Sequence, residues 1–241
     1  MAALIFADSE DLFQAAAKDF ADKAMGLLSK KKLLNIALSG GSTPKDFFKV
    51  LAQQKIPWEK VRFFFVDERY VPGDNPENNY HMADQYLFSK ISIPRENIYP
   101  IPTEFKDPEE AAREYELILH KAFGVKSHEI PKFDIIYLGL GDDGHTASLM
   151  PFNKLIFKKH QLVAADWVSK LNMYRITLTP TIINHSDNII FMATGANKAP
   201  AVSAVLEGKY EPDQYPAQLI DHTQGKTIWY LDQAAANLIK D

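Results

Sequence analysis

Apolar residues at Leu12, Phe13, Ala16, Ala17, Phe20, Ala21, Ala24 and Leu27 recur at intervals of three and four, the spacing of one helical face. With Ser9 ahead of Glu10 and Asp11 as the cap, they predict an amphipathic helix to about Leu28. Shorter and denser apolar runs, rich in β-branched and aromatic residues, read as strands at 33–38, 61–66, 135–138, 162–168, 176–178, 188–193 and 227–231. Helical patterns occupy several of the intervals, at 45–52, 78–88, 108–123 and 199–207, with a further helix in the tail from Gln233. A continuous run such as 134–138 suits a strand buried on both faces. Alternation of strand and helix therefore predicts a doubly wound, Rossmann-like α/β fold: a mostly parallel sheet with helices on both faces. The proline-rich stretch 93–108 reads as a long connection, and no linker divides residues 1–241, so one domain is expected.

Composition removes several function classes. In 241 residues, 46% hydrophobic and 12% aromatic content is enough for a sizeable core. The absence of cysteine excludes disulfides, a thiolate nucleophile and cysteine-ligated metals. The seven histidines are scattered without H-x-H or H-E-x-x-H pairing, so no metal site is expected. A net charge of -4 argues against a surface that coats nucleic acid. Asp8, Glu10 and Asp11 break up the first residues, which disfavours a secretory signal, and no stretch reaches the ~20 apolar residues that span a bilayer. A cytoplasmic monomer acting on a small molecule is the resulting expectation.

Four segments carry candidate chemistry, and each falls just past the carboxyl end of a predicted strand, where ligands sit in open α/β sheets. In GLGDDGHTASLMP, residues 139–151, Asp143 lies two residues before His145. A carboxylate so placed can orient one imidazole nitrogen and leave the other to take a proton. Gly139, Gly141 and Gly144 also fit G-x-G-x-x-G, but Asp142 and Asp143 would face a pyrophosphate with like charge. The run Ser39-Gly40-Gly41-Ser42-Thr43-Pro44 follows a strand and opens a helix, with Pro44 at a plausible first helical position. Such a turn is a good anion cradle, although ordinary capping explains it equally well. Arg69, in DERYVP, offers a planar fork to phosphate or carboxylate, or a salt bridge to Asp67 or Glu68. Lys198, in GANK, offers a point charge.

Taken together, LSGGSTP, FFFVDERYVP with the N-x-x-N-N-Y-H of 75–81, GLGDDGHTASLMP, RITLTP and GANKA occur in the order found in the 6-phosphogluconolactonases of the glucosamine-6-phosphate isomerase superfamily. The chain resembles that family over nearly its whole length. The resemblance implies hydrolysis of 6-phospho-D-glucono-1,5-lactone in the pentose phosphate pathway, without metal or organic cofactor. It further implies that Ser39, Gly40, Gly41, Ser42, Arg69 and Lys198 hold the phosphate, that Arg175 contacts substrate, and that His145, with Asp143, acts at the lactone.

Two alternatives have distinct signatures. The sister deaminases, which act on glucosamine 6-phosphate, typically carry D-E-Y where this chain has Asp67-Glu68-Arg69. They also carry a glutamate where this chain has Met150, and a thioether cannot relay that proton. A non-catalytic sugar-phosphate sensor on the same scaffold would have no need of both Asp143 and His145.

Overall fold

The structure is a computed structural model that describes residues 2–153, 155, 161–222 and 226–240. Seven strands form one all-parallel sheet: β1 (Ala2–Phe6), β2 (Leu34–Leu38), β3 (Val61–Phe65), β5 (Ile98–Tyr99), β6 (Ile135–Gly139), β9 (Ile189–Ala193) and β10 (Thr227–Asp232). Across the sheet their order is β1-β10-β9-β6-β2-β3-β5. The helices are α1 (Ser9–Leu28), α2 (Ser42–Leu51), α3 (Asn79–Tyr86), α4 (Pro108–Phe123), α5 (Pro180–Asn184) and α6 (Ala199–Glu207). A second sheet of three antiparallel strands, in the order β4-β8-β7, is built from β4 (Asp67–Arg69), β7 (Val163–Val168) and β8 (Met173–Leu178).

The doubly wound α/β expectation holds, and strand β3 illustrates why. Successive side chains on a strand point to opposite faces, and VRFFF has apolar groups for both. Phe63 meets Trp58 and Phe88, and Phe65 meets Tyr80 and Phe88, whereas Phe64 stacks on Tyr99 and packs against Phe123 of α4. Strand β6, next but one across the sheet, sends Tyr137 to Phe20 of α1 and Phe47 of α2. Strands covered on both sides need apolar residues at every position, which is why they appear as unbroken runs.

Several expectations change in detail. The 162–168 and 176–178 runs are strands, but they join each other and β4 in the antiparallel sheet that packs on α4. The 93–108 stretch contains β5, which pairs with β3 through Phe63–Ile98 and Phe64–Tyr99 and forms one edge of the large sheet. The first helix is capped by Asp8 rather than Ser9, because the Asp8 carboxylate reaches the Asp11 N–H at 3.0 Å. Helix α2 begins at Ser42, so Pro44 is its third residue; the first turn tolerates it because an N–H at that position would have no partner inside the helix. The tail from Gln233 runs in turns rather than a helix, its start tied by the Asp232 carboxylate to the Ala235 N–H at 2.7 Å.

Candidate active site

The carboxyl ends of β2, β3, β6 and β9 point the same way, so the turns that follow them converge on one cleft of about 290 Å³. Ser39, Gly40, Gly41 and Ser42 line one part of it, His145 another, and Arg69, Arg175 and Lys198 the rest. Thus every predicted site residue except Asp143 lines the cleft, and Asp143 reaches it through His145.

The turn after β6 fixes the imidazole. The Asp143 carboxylate accepts from His145 Nδ1 at 2.5 Å, and as a carboxylate only accepts, Nδ1 carries the hydrogen. The second ring nitrogen, Nε2, is then free to act as a base. The hydrogen bond from His145 holds Asp143 well below the usual carboxylate range despite partial burial. Lys170, from the turn between β7 and β8, adds a contact to Asp143 at 3.3 Å. The turn closes on itself, with Gly141 N–H donating to His145 O at 2.8 Å and Gly144 N–H to Gly141 O at 3.1 Å. Those two amides are therefore committed to the turn and do not face a ligand. A Cβ on Gly141 would lie 2.1 Å from His145 Nδ1 and 2.7 Å from Asp143 Oδ1, so only glycine leaves room for the ring in this position.

The opposite wall is cationic. Arg69 on β4 and Arg175 on β8 are direct cross-strand partners. Like charges placed so are mutually destabilising unless an anion lies between or beside them. Arg69 makes neither of the salt bridges its neighbours offered: its Nη1 donates to Asn79 Oδ1 and, at 3.1 Å, to Glu77 O. Burial, followed by the facing charge of Arg175, pulls the Arg69 pKa down. Arg175 instead takes Asp67, with Nη2 donating to Oδ2 at 2.6 Å, and the Ser148 hydroxyl donates to the same oxygen at 2.6 Å. Its Nε is buried and has no hydrogen-bond partner among the described residues. Half-buried Lys198 makes no ion pair among them either.

Helix α2 adds backbone donors. Its N-cap is Gly41, at φ +111°, which has no side chain with which to satisfy the first N–H groups. Those groups and the helix dipole suit an anion. Ser39 contributes less than its motif suggests, because its hydroxyl is spent on Tyr137 O at 2.9 Å. Ala147, which lines the cleft, holds φ +50°, a strained conformation for a residue with a Cβ.

Asn79 has no role among the sequence expectations, although it lies inside the N-x-x-N-N-Y-H motif. Asn79 is almost fully buried and its side-chain amide sits between three pieces of the wall. Its Nδ2 donates to Asp67 O at 2.8 Å and its Oδ1 accepts from Arg69. A Cβ on Gly40 would fall 1.7 Å from the same Oδ1, so glycine there lets the loop close against the amide. Away from this cleft, a larger groove of about 870 Å³ between α4 and the 98–104 segment is lined mainly by prolines, isoleucines and tyrosines. It carries none of the predicted site residues.

The buried Asp67–Arg175 pair also bears on stability. Burial alone would raise the Asp67 pKa, but the charge of Arg175, the Ser148 hydroxyl and the charge of Arg69 outweigh it and the net direction is down. A folded-state pKa below the unfolded value stabilises above about pH 4, and the contribution fades as pH falls through the folded value. Asp67→Asn is therefore expected to cost about 2 kcal/mol at pH 7. The gap in Tm from the parent should narrow in acid; a gap that widens on acidification would show that the pair does not carry it.

The sequence profile of the family described as glucosamine-6-phosphate isomerases/6-phosphogluconolactonase matches residues 7–229. A 6-phosphogluconolactonase of Synechocystis sp. is 42% identical over 205 residues, covering 85% of this chain and 84% of the relative. The 6-phosphogluconolactonase of Homo sapiens is 35% identical over 242 residues, covering 98% and 92%. Among solved structures, 6-phosphogluconolactonase from Thermotoga maritima superposes with a TM-score of 0.84 at 30% identity, covering 96% of this chain and 99% of that one.

Proposed function

The chain belongs to the glucosamine-6-phosphate isomerase/6-phosphogluconolactonase family, and from that premise we propose that it hydrolyses 6-phospho-D-glucono-1,5-lactone to 6-phospho-D-gluconate, in the oxidative branch of the pentose phosphate pathway. The observation that carries this reading is a histidine with one nitrogen committed to a carboxylate and the other free, across a small cleft from an anion-binding wall. That pairing suits a substrate with a reactive ester at one end and a phosphate at the other.

In the proposed reaction, His145 Nε2 removes a proton from a water molecule whose oxygen attacks the lactone carbonyl carbon. Asp143 keeps the ring in the Nδ1–H tautomer and stabilises the imidazolium. Negative charge on the former carbonyl oxygen needs a donor, and with the amides of Gly141 and Gly144 already used, the Arg175 guanidinium, which lines the cleft, is the candidate we favour. Collapse of the tetrahedral intermediate breaks the bond between that carbon and the ring oxygen, which takes the proton from His145. Arg69, Lys198 and the residues 39–42 hold the phosphate, so that binding energy from a remote group orients the reacting end.

Met150 lines the cleft where the deaminases typically place an acidic group, and this favours hydrolysis over deamination. The deciding experiment is a coupled assay with freshly generated lactone beside a glucosamine 6-phosphate deamination assay. Lactone hydrolysis well above the spontaneous rate is expected; deamination without it would overturn the proposal. We place the enzyme in the cytoplasm as a monomeric, single-domain catalyst of residues 1–241. No helix among the described residues is long and apolar enough to cross a membrane.

The mechanism asks nothing of a metal, because His145 supplies the base that a zinc-bound hydroxide would otherwise replace. Exhaustive EDTA treatment is therefore expected to leave kcat unchanged. Loss of turnover that one added divalent ion restores would reassign His145 from base to ligand.

A further inference from the structure

Glu68 lies between two residues of the cleft wall, on the short strand β4, yet it does not line the cleft itself. Its side chain is fully buried and makes no ion pair with a cation among the described residues. Every hydrogen bond it accepts comes from backbone: Oε1 takes the N–H of Arg69 at 2.8 Å and of Asn79 at 2.7 Å, and Oε2 takes the N–H of Tyr80 at 3.0 Å. Asn79 and Tyr80 are the first two residues of α3, so the carboxylate sits at that helix's N-terminus and complements its dipole. A buried charge without a counter-ion is costly, and burial pushes Glu68 up to about 7 against the pull of these three donors.

What the carboxylate joins is the anion-binding wall. It pins the main chain of Arg69 and of Asn79, and the Asn79 amide in turn accepts from the Arg69 guanidinium, donates to Asp67 O and abuts Gly40. The three recognition elements thus share one fixed point. We propose that Glu68 is a positioning residue for phosphate recognition, holding Arg69 and Asn79 in the geometry that lets the guanidinium and the glycine loop receive the same phosphate. This rests on the lactonase reading and adds to it a residue that touches no substrate.

The test is Glu68→Gln, close in shape but with an amide NH2 in place of one acceptor, so that one of the three backbone N–H groups faces a donor. KM for the phosphorylated lactone should rise about tenfold or more with kcat within about threefold, the signature of lost binding rather than lost chemistry. KM for unphosphorylated gluconolactone should not change. Calorimetry with inorganic phosphate and with 6-phosphogluconate should show the same weakening, with Tm within a few degrees of the parent. In an Arg69→Ala background the substitution should change KM less than about twofold, because coupled residues do not add. Equal losses on both lactones, a fall in kcat alone, or full additivity with Arg69→Ala would each overturn the proposal. If Glu68→Gln does not fold, Glu68→Asp is measured in the same way; if neither folds, Glu68 is structural and the proposal is wrong. Failure of the parent to hydrolyse either lactone would instead sink the lactonase reading, while phosphate calorimetry would still report on Glu68.

Discussion

His145→Ala is expected to lower kcat by ~10²- to 10⁴-fold with KM little changed, or about 2.7–5.5 kcal/mol of transition-state stabilisation. The size follows from what remains. Alanine leaves the anion-binding wall and Arg175 intact, so substrate still binds, but no other group with a free basic nitrogen shares the turn after β6. The carbonyl at 145 accepts from Gly141 N–H and closes that turn. The backbone bond survives in alanine, so the fold should hold. Gly141→Ala provides an independent check, since its Cβ would collide with the imidazole rather than remove it. A displacement on the order of 1 Å can cost ~10²-fold in rate, so this variant should lose kcat while binding 6-phosphogluconate normally. Near-normal kcat in His145→Ala, measured by the coupled lactonase assay, would remove the residue from the mechanism.

The parallel core was readable because burial on both faces writes itself into sequence as unbroken apolar runs, and β2, β3, β6, β9 and β10 all lie within a residue or so of their expected limits. The small sheet was not readable as a sheet. Its strands β7 and β8 are apolar enough to be recognised, but pairing direction is decided by the short turn at 169–172 and by β4, whose three residues Asp67, Glu68 and Arg69 have no apolar signature. Strand β5 is two residues long and flanked by proline, so it looked like connection. In each case partners distant in sequence, rather than local preference, make the strand.

The site divides in the same way. Asp143 and His145 are two residues apart, and their contact is a local matter that spacing can reveal. The wall is not local: Asp67 pairs with Arg175 across 108 positions, and this contact displaces the i,i+2 bridge to Arg69 that the sequence suggested. Once Arg175 has taken Asp67, Arg69 turns to Asn79. The motif containing Asn79 was visible, but what it touches depended on a pairing that no spacing rule describes.

Arg69→Ala and Lys198→Ala are each expected to weaken binding of 6-phosphogluconate by ~2–5 kcal/mol where the lost partner is a desolvated charge pair. Arg69 should lie toward the upper end because its half-buried guanidinium is partly desolvated and is already held in place by Asn79 and the Glu77 carbonyl. Lys198 is also half-buried, but its flexible ammonium is held by no other side chain among the described residues, so it is less pre-organised than the planar guanidinium and its loss should cost less. Because Arg69 forms neither of the salt bridges its neighbours offer, Arg69→Ala should shift Tm little compared with its loss of affinity. Unphosphorylated gluconolactone should be a poor substrate for the parent, and its turnover should be nearly indifferent to both changes. Calorimetry on 6-phosphogluconate together with kcat/KM on the two lactones checks this directly. Equal losses on phosphorylated and unphosphorylated lactones would mean that these residues shape the cleft rather than bind phosphate, and that the anion lies elsewhere.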